Sequence, residues 1–457
     1  MEVHPGWIAV LFGCFLSGLL FGIPVAWALG GSAFLVTGFC AYLNSYSGGE
    51  FVLDWNTFSL SVERVYGLVE SDTLVALPMF ILMGHILDKS GVSRIVMNSI
   101  SVIFGQVRGG LAMGVVIVGV LLAASTGIIG ASVVLLGTIC LPVMIQAGYG
   151  ARISCGTICS AGTLGILIPP SIMLIIMADR LQLPVADLFT GSLLPGLLLA
   201  ILYLIYILGY SFIFPDRVPV KSSSNTHIKW LPVLKSVAPV FLLIIIVLGS
   251  IFTGIAPPTE ASGLGAFGAF IIALFHKGIS KKSVEGMCRE TIQTIGFLFA
   301  IFVGASCFAL ALRLLGGDDW IQSVLSGDGR GPYMVVALVL GLVFVLGFFL
   351  DWIEITLVVL PIISALVGDL PLAWADSWEG KDSIALWFAI LCALVLQTSF
   401  LTPPVGFALF YLKGAVKDMV SPKDLYLGII PFVFIQIIAV ILIIIFPEIV
   451  TWLPSLD

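Results

Sequence analysis

Charged side chains are scarce in this sequence. Only 10% of its 457 residues are Asp, Glu, Lys or Arg, whereas 60% are apolar. Soluble domains carry about 25% charged residues, so a globule of this length would lack the polar side chains needed to cover its surface. The net charge of −6 is shared among the predicted loops and indicates no nucleic-acid partner. We therefore predict an integral membrane protein in a lipid bilayer.

Motifs for catalysis and for metal binding are also missing. The sequence has no HExxH motif, no paired aspartates in an apolar segment and no GxxxxGK[ST] loop for a nucleotide. Its eight cysteines include no CxxC pair, and Cys155 and Cys159 have no histidine nearby. These absences argue against the alternative of an intramembrane enzyme. They also predict no organic cofactor and no metal other than sodium.

Long runs without charge define the membrane segments. A helix needs about 20 such residues to cross a bilayer. The longest runs, 3–49 and 109–151, have room for two crossings each. We predict an all-α polytopic membrane protein with about 11–12 transmembrane segments and two re-entrant hairpins in an inverted repeat. The other charge-free runs are 153–178, 188–215, 236–259, 291–312, 331–350, 383–412 and 425–447.

Two segments are predicted as the re-entrant hairpins. Run 73–87, which contains Pro78, is too short to cross and fits a hairpin better. Its counterpart in the second half would be 291–312, although the count of crossings requires that segment to span. The stretches 90–107 and 279–293 mix charged and apolar residues, which predicts helices on the membrane surface.

The inverted repeat follows from the orientation of two similar segments. Lysine and arginine place the loops 216–235 and 277–290 on the cytoplasmic side. Counting crossings from these loops makes the segment with Pro169-Pro170 run outward and the segment with Pro403-Pro404 run inward. Two halves of opposite topology with interrupted helices are typical of secondary transporters, whose site lies where the halves meet.

The two Pro-Pro segments are the predicted ion sites. Consecutive prolines break a helix and free carbonyl oxygens, and nearby hydroxyl groups add further oxygen ligands for a sodium ion. The alternative is a structural kink whose hydroxyls bond back to their own helix. The predicted sodium-binding residues are Ser125, Thr126, Gly127, Gly162, Thr163, Pro169, Gln397, Thr398, Ser399, Thr402 and Pro403.

Substrate ligands are predicted beside the same segments. Asp351 and Glu354 lie between apolar runs, where a charge is costly unless it is paired. Asp351 is either a ligand or an ordinary acid at a helix end. Arg313 either anchors an anionic substrate or extends to the membrane surface. The predicted substrate-binding residues are Pro78, Gly165, Pro170, Ser306, Asp351 and Pro404.

Several motifs, in this order, resemble the large membrane subunit of TRAP (tripartite ATP-independent periplasmic) transporters, the DctM-like family. The similarity covers nearly the whole chain. The motifs are ALPMFILMG at 76–84, RGGLA at 108–112, AGY at 147–149, GTLGILIPPS at 162–171, LFTGSLLPG at 188–196, PPTEA at 257–261 and LTPPVG at 401–406.

The resemblance implies a sodium-coupled importer of organic acids, multi-pass in the bacterial inner (cytoplasmic) membrane. Its implied partners are a small four-helix membrane subunit and a periplasmic substrate-binding protein that delivers the acid. An elevator mechanism is also implied, in which a transport domain moves against a scaffold. The predicted regions are 1–68 (scaffold helices), 69–186 (first transport repeat), 187–293 (scaffold helices and surface arm), 294–415 (second transport repeat) and 416–457 (C-terminal scaffold helix).

The chain departs from the family pattern in its first half. Many members have Ser-Gly-Ser followed shortly by Ala-Asp, where this chain has Ser125-Thr126-Gly127 and then Ala131-Ser132. An acid of the family is therefore absent here. A stand-alone sodium-coupled organic anion symporter of similar design is the alternative that the sequence leaves open.

Overall fold

The computed structural model describes most of the chain as helices. It covers residues 4–47, 52–92, 95–96, 104, 107–126, 129–219, 230–276, 279–325, 330–368, 370–372, 374 and 381–456. Within these ranges there is no β-strand. The prediction of an all-α fold is therefore confirmed.

The first half contains nine helices longer than two turns among the described residues. A single turn, Trp55–Phe58, precedes the third helix, and a 3₁₀ turn, Leu164–Ile166, follows the seventh. The helices are α1 Pro5–Leu20, α2 Val25–Ser47, α3 Leu60–Glu70, α4 Asp72–Lys89, α5 Gly110–Thr126, α6 Ile129–Gln146, α7 Ala151–Thr163, α8 Ile172–Leu181 and α9 Val185–Ile213.

The second half has the same general order. Its described helices are α10 Trp230–Phe252, α11 Pro258–Phe275, α12 Lys281–Leu314, α13 Gly317–Leu325, α14 Pro332–Leu346, α15 Trp352–Gly368, α16 Lys381–Leu401, α17 Phe407–Val416 and α18 Pro422–Ile445. Residues Ile355–Val359 of α15 form a π-helical turn.

Seven of the described helices are long and apolar enough to cross a membrane: α2, α6, α9, α11, α12, α16 and α18. The count rises to eight if α3 and α4, which meet at a bend of 55°, form one broken span. Six further apolar helices have 10–17 residues. The chain is thus a multi-pass membrane protein, as the scarcity of charge predicts.

The two segments predicted as hairpins are each helical throughout. Residues 73–87 form part of the continuous helix α4, which contains Pro78 and does not fold back on itself. Residues 291–312 lie within the continuous helix α12. The assignment of 291–312 as a hairpin is therefore wrong, because α12 has no break and is long enough to span, as the count of crossings requires. Helix α4 does not reverse by itself, and together with α3 it forms the bent pair described above, which is either a broken span or a re-entrant loop.

Two other helix pairs do fold back. Helices α5 and α6 are separated by two residues and pack against each other, so the chain reverses between them. The last part of α15, Leu360–Gly368, contacts α14, so this pair also reverses, at Gly347–Asp351. Each hairpin precedes an interrupted helix, α7–α8 in the first half and α16–α17 in the second.

The two halves pack on each other in a reciprocal way. Helix α4 of the first half packs on α11 of the second, and α12 of the second half packs on α2 of the first. Helices α4 and α12 each follow the second long helix of their half, so they are the corresponding helices of the two halves. Each packs on the second long helix of the other half, which is the arrangement expected of two inverted repeats. The surface helix predicted at 279–293 is the beginning of α12, and 90–107 lies mostly outside the described residues.

Helix α7 of the first half and α18 of the second half form a close parallel pair. The Nε atom of Arg152 lies 2.9 Å from Oδ1 of Asp424 at the start of both helices. One turn further, Gly156 faces the carbonyl of Gly428 so closely that a Cβ atom would lie 2.1 Å from that oxygen. Glycine at both positions lets the two backbones touch.

Candidate functional site

The interrupted helices of the two halves meet at Thr163 and Gln397. The Gln397 amide nitrogen Nε2 donates a hydrogen bond of 3.2 Å to Oγ1 of Thr163. Thr163 in turn donates to the carbonyl of Ser160 at 3.0 Å. Both side chains are fully buried. Residues that are far apart in sequence but occupy corresponding places in the two halves are thus in direct contact.

The ends of both hairpins reach this junction. A Cβ atom on Gly162 would lie 2.5 Å from Cγ2 of Val133, in the second turn of α6. A Cβ atom on Gly347, where the second hairpin begins its turn, would lie 2.2 Å from Oγ of Ser399. The beginning of α6 in the first hairpin and the residue after α14 in the second therefore each contact the interrupted helix of their own half.

The hydroxyl groups of α16 bond back along their own chain. Thr398 donates to the carbonyl of Leu394 at 2.8 Å, and Ser399 donates to that of Leu396 at 2.8 Å. Thr402 donates to the carbonyl of Thr398 at 2.7 Å. In this conformation each hydroxyl oxygen keeps lone pairs for a ligand, but its proton is already used.

The two Pro-Pro segments differ in exposure. Pro169 and Pro170 are buried together with the neighbouring Gly165, whereas Pro403 and Pro404 are exposed. Both Pro-Pro peptide bonds are cis. The side chains of Ser125 and Thr126 and the whole of Gly127 lie outside the described residues.

The junction contains a buried side-chain oxygen without a hydrogen-bond partner in the described part of the chain. The Gln397 Oε1 atom is buried and has no hydrogen-bond partner among the described residues. Leaving such an acceptor unpaired costs about 1–3 kcal/mol. Because this atom is a carbonyl oxygen, it can only accept, and hard cations such as sodium take neutral oxygen ligands of this kind.

A cavity of about 320 Å³ lies between five helices of the two halves. Helix α3 supplies one wall, α12 and α15 supply two others, and α8 and α13 contribute one residue each. It is lined by Arg64, Gly67, Leu68, Arg180, Ala305, Ser306, Ala309, Arg313, Asp318, Leu357, Val358, Pro361 and Ile362.

Three arginines give this cavity its chemistry. Arg180 donates through Nε to Oδ2 of Asp179 at 2.8 Å, and Arg313 donates through Nε to Oδ2 of Asp318 at 3.0 Å. Within the described part of the chain, no carboxylate lies at ion-pair distance from Arg64. A guanidinium group binds carboxylate with paired N–H donors, so the cavity is suited to an organic anion.

The local structure fixes Arg180 in this place. Ser71 begins α4 as its N-cap and donates its hydroxyl proton to Oδ1 of Asp179. Asp179 is only 7% exposed and holds Arg180 through its other oxygen. The bend between α3 and α4 is thereby tied to the end of α8, and Arg64 and Arg180 come to line the same space.

Of the predicted substrate ligands, Ser306 lines the cavity. Asp351 is the N-cap of α15, where its Oδ1 accepts a hydrogen bond of 2.8 Å from the Trp352 amide. Pro78 lies half-buried in α4. Neither these two residues nor Gly165, Pro170 and Pro404 are among the residues that line the cavity.

The sequence interpretation missed Arg64 and Arg180 altogether. A signal for Arg180 was present, since Asp179-Arg180 ends an apolar run that follows the first Pro-Pro pair. Glu354 was noted but given no role. It is 2% exposed, its Oε2 atom has no hydrogen-bond partner among the described residues, and a π-helical turn follows it directly. Such turns occur often at functional sites.

Comparison with known proteins decides the family. The sequence model described as "Tripartite ATP-independent periplasmic transporter, DctM component" matches residues 12–449. The chain belongs to this family. The resemblance noted from the motifs is therefore confirmed, and the chain is a transport protein of the TRAP large permease family and not an enzyme.

Curated relatives of this TRAP permease span its full length. It is 29% identical to the C4-dicarboxylate TRAP transporter large permease protein DctM of Vibrio cholerae, over 98% of each chain. It is 25% identical to the sialic acid TRAP transporter permease protein SiaT of Haemophilus influenzae, over 98% of this chain and 67% of the relative. The relatives' names cover different substrates.

Solved structures of other transporters share the fold. The YdaH transporter of Alcanivorax borkumensis superposes with a TM-score of 0.57 at 11% sequence identity, covering 85% of this chain and 88% of that one. MtrF of Neisseria gonorrhoeae superposes with a TM-score of 0.52 at 13% identity, covering 84% and 82%. At these identities the likeness concerns architecture alone.

Proposed function

We propose that this TRAP large permease imports an organic acid across the bacterial inner membrane, driven by a sodium gradient. Its proposed partners are a small four-helix membrane subunit and a periplasmic binding protein that delivers the acid. Family membership supports the partners, because the relatives are named as components of tripartite transporters.

The cavity with three arginines is the observation that carries the proposal for the substrate. It is the described space in which cationic side chains from both halves face one another, and an unpaired Arg64 in partly buried surroundings favours binding of a carboxylate. Ser306 adds a hydroxyl group beside the arginines. A neutral solute would leave the charge of Arg64 without a counter-ion.

Neutral oxygens at the junction of the interrupted helices support sodium as the coupling ion. The free Gln397 Oε1 atom belongs to the amide whose nitrogen bonds Thr163, so an ion bound to it would lie on the residue that joins the two halves. The residues that are hydrogen-bonded to one another at this junction, Gln397, Thr163 and Ser160, carry no charge, which favours a metal ion over a proton relay.

An elevator movement fits the position of the cavity. Arg64 and Leu68 belong to the predicted scaffold region 1–68, whereas Arg180 and Ser306 belong to the predicted transport repeats. A substrate held between them would be carried past the scaffold when the repeats move. This division of the chain stays a prediction, and its boundary at 293 would fall inside the continuous helix α12.

Uptake by the reconstituted three-component system tests the proposal. Proteoliposomes should accumulate a radiolabelled organic acid when an inward sodium gradient is present. Replacing Arg64 with Gln should lower initial uptake about tenfold or more, because a carboxylate loses its counter-charge. Arg217→Gln is the matched control, since Arg217 is exposed and stacks on Phe214 away from the cavity. Sodium-independent uptake under a proton gradient, or equal loss in both variants, would contradict the proposal.

A further inference from the structure

The charges of the cavity are nearly balanced before any substrate enters. Arg180 is paired with Asp179, and Arg313 is paired with Asp318. Among the lining residues and their ion-pair partners, Arg64 is therefore the remaining uncompensated charge, and the net charge is one positive unit. A ligand with a single negative charge would neutralise the cavity.

The ion pair of Arg180 is buried and held in place, whereas the ion pair of Arg313 with Asp318 is partly exposed. Asp179 is nine-tenths buried and is held by Arg180 on one oxygen and by the hydroxyl of Ser71 on the other. Asp318 keeps its Oδ1 atom buried and without a hydrogen-bond partner among the described residues. That oxygen is an acceptor beside the cavity, and it repels a second carboxylate while it tolerates an apolar group or a hydroxyl donor.

The rest of the wall is apolar. Side chains of Leu357, Val358, Pro361 and Ile362 on α15 face Leu68 on α3 across the cavity. At about 30 Å³ for each water molecule, the space corresponds to roughly ten waters, which suits a compact organic ligand with roughly that number of non-hydrogen atoms. An apolar body would displace water from this wall without losing hydrogen bonds.

We infer that the cavity selects a monocarboxylate with a compact apolar body over a dicarboxylate, with the carboxylate on Arg64 and the apolar body on α15. This inference rests on the proposed function, because it concerns the substrate of the same site. It separates this chain from the relatives whose names specify C4-dicarboxylates. A second carboxylate would find its arginines already paired and would meet Asp318, so its desolvation would not be compensated.

Three benzene derivatives test the charge requirement, and 4-carbamoylbenzoate, which has the size of terephthalate but a single carboxylate, is the size control and should displace the label about as well as benzoate. Benzoate has one carboxylate on a flat apolar ring, terephthalate adds a second carboxylate opposite the first, and benzamide replaces the carboxylate with a neutral amide. Displacement of radiolabelled benzoate from the purified complex in sodium buffer should be about tenfold weaker for terephthalate than for unlabelled benzoate. Benzamide should not displace the label.

Removal of the cavity acid provides the reciprocal test. Asp318→Asn frees the charge of Arg313, so the affinity for terephthalate relative to benzoate should rise about fivefold or more. Asp319→Asn is the matched control, because it removes an equal charge from the neighbouring position, which does not line the cavity. The ratio should stay unchanged in this control.

The possible results distinguish a failure of the inference on substrate class from a failure of the proposed function. If terephthalate binds as well as benzoate while sodium-driven carboxylate uptake persists, the proposed function stands and the inference on substrate class is overturned. An equal change of the ratio in Asp318→Asn and Asp319→Asn would also overturn it. If no carboxylate binds and none is taken up, both the inference and the proposed function fail.

Discussion

The close contact of α7 and α18 gives a prediction whose size can be worked from the structure. A Cβ atom on Gly156 would lie 2.1 Å from the Gly428 carbonyl oxygen and 2.7 Å from Cε2 of Phe432. A Cβ atom on Gly428 would lie 2.2 Å from the carbonyl oxygen of Arg152. The nearest neighbours are backbone atoms, which cannot rotate away as the end of a side chain can.

Replacing Gly156 with Ala must therefore move the two helices apart by roughly 1 Å, since non-bonded heavy atoms pack at about 3.5–4.0 Å. A gap of that size costs dispersion contacts along the helix pair, and overpacking of a core costs about 1–3 kcal/mol, sometimes more. Alanine recovers about 0.5–1 kcal/mol over glycine within a helix. We expect a net loss of about 2 kcal/mol in the free energy of unfolding, and a similar loss for Gly428→Ala.

The matched control is Gly209→Ala in α9, where nothing lies within 4 Å of the added Cβ atom. Thermal unfolding of the purified permease in detergent, followed by tryptophan fluorescence, should show lower melting temperatures for Gly156→Ala and Gly428→Ala. The control should match or slightly exceed the parent protein. Equal melting temperatures for all three variants would show that α7 and α18 do not approach each other as closely as the structure indicates.

Two further predictions concern the ion and the partners. Thr163→Val and Thr398→Val keep the side-chain shape but delete an oxygen at the junction, so each should raise the sodium concentration for half-maximal uptake. The control is Thr190→Val, because Thr190 is a buried threonine of α9 whose hydroxyl bonds to its own helix. This variant should leave the sodium concentration for half-maximal uptake unchanged. If sodium dependence is unaltered in both junction variants, the Pro-Pro segments are structural kinks and not ion sites. The permease reconstituted without the small subunit and the binding protein should not accumulate substrate, and accumulation by the permease alone would favour a stand-alone symporter.

The distance between charges predicts the fold class because a membrane tolerates few unpaired charges. The same rule cannot separate a hairpin from two crossings. Helices α5 and α6 lie within the charge-free run 109–151, and no charge marks the reversal between them. A proline in a short apolar run predicts a reversal of the chain, but Pro78 is accommodated inside the continuous helix α4.

The meeting of Thr163 with Gln397 is partly readable from the sequence. The inverted order of the two Pro-Pro segments predicts that they lie together, and the hydrogen bond between these two residues agrees with it. The arginine cavity is not readable in this way. Arg64 and Arg180 belong to helices that follow no common pattern, and the bond from Ser71 to Asp179 together with the packing of α8 on α4 brings those helices together.

The two interruptions are alike in sequence but differ in their surroundings, and this difference bears on how an ion reaches the junction. In the first, Ser171 donates to the carbonyl of Ile166 at 2.7 Å, and Pro169 and Pro170 are buried. That break is closed by its own chain and sealed by neighbouring helices. In the second, Pro403 and Pro404 are exposed and Thr402 is half-buried, so the chain around them lies at the surface. Because Gln397 is on this second helix, little more than one turn before Thr402, we expect an ion to reach the free oxygen of Gln397 from the exposed interruption and not from the buried one.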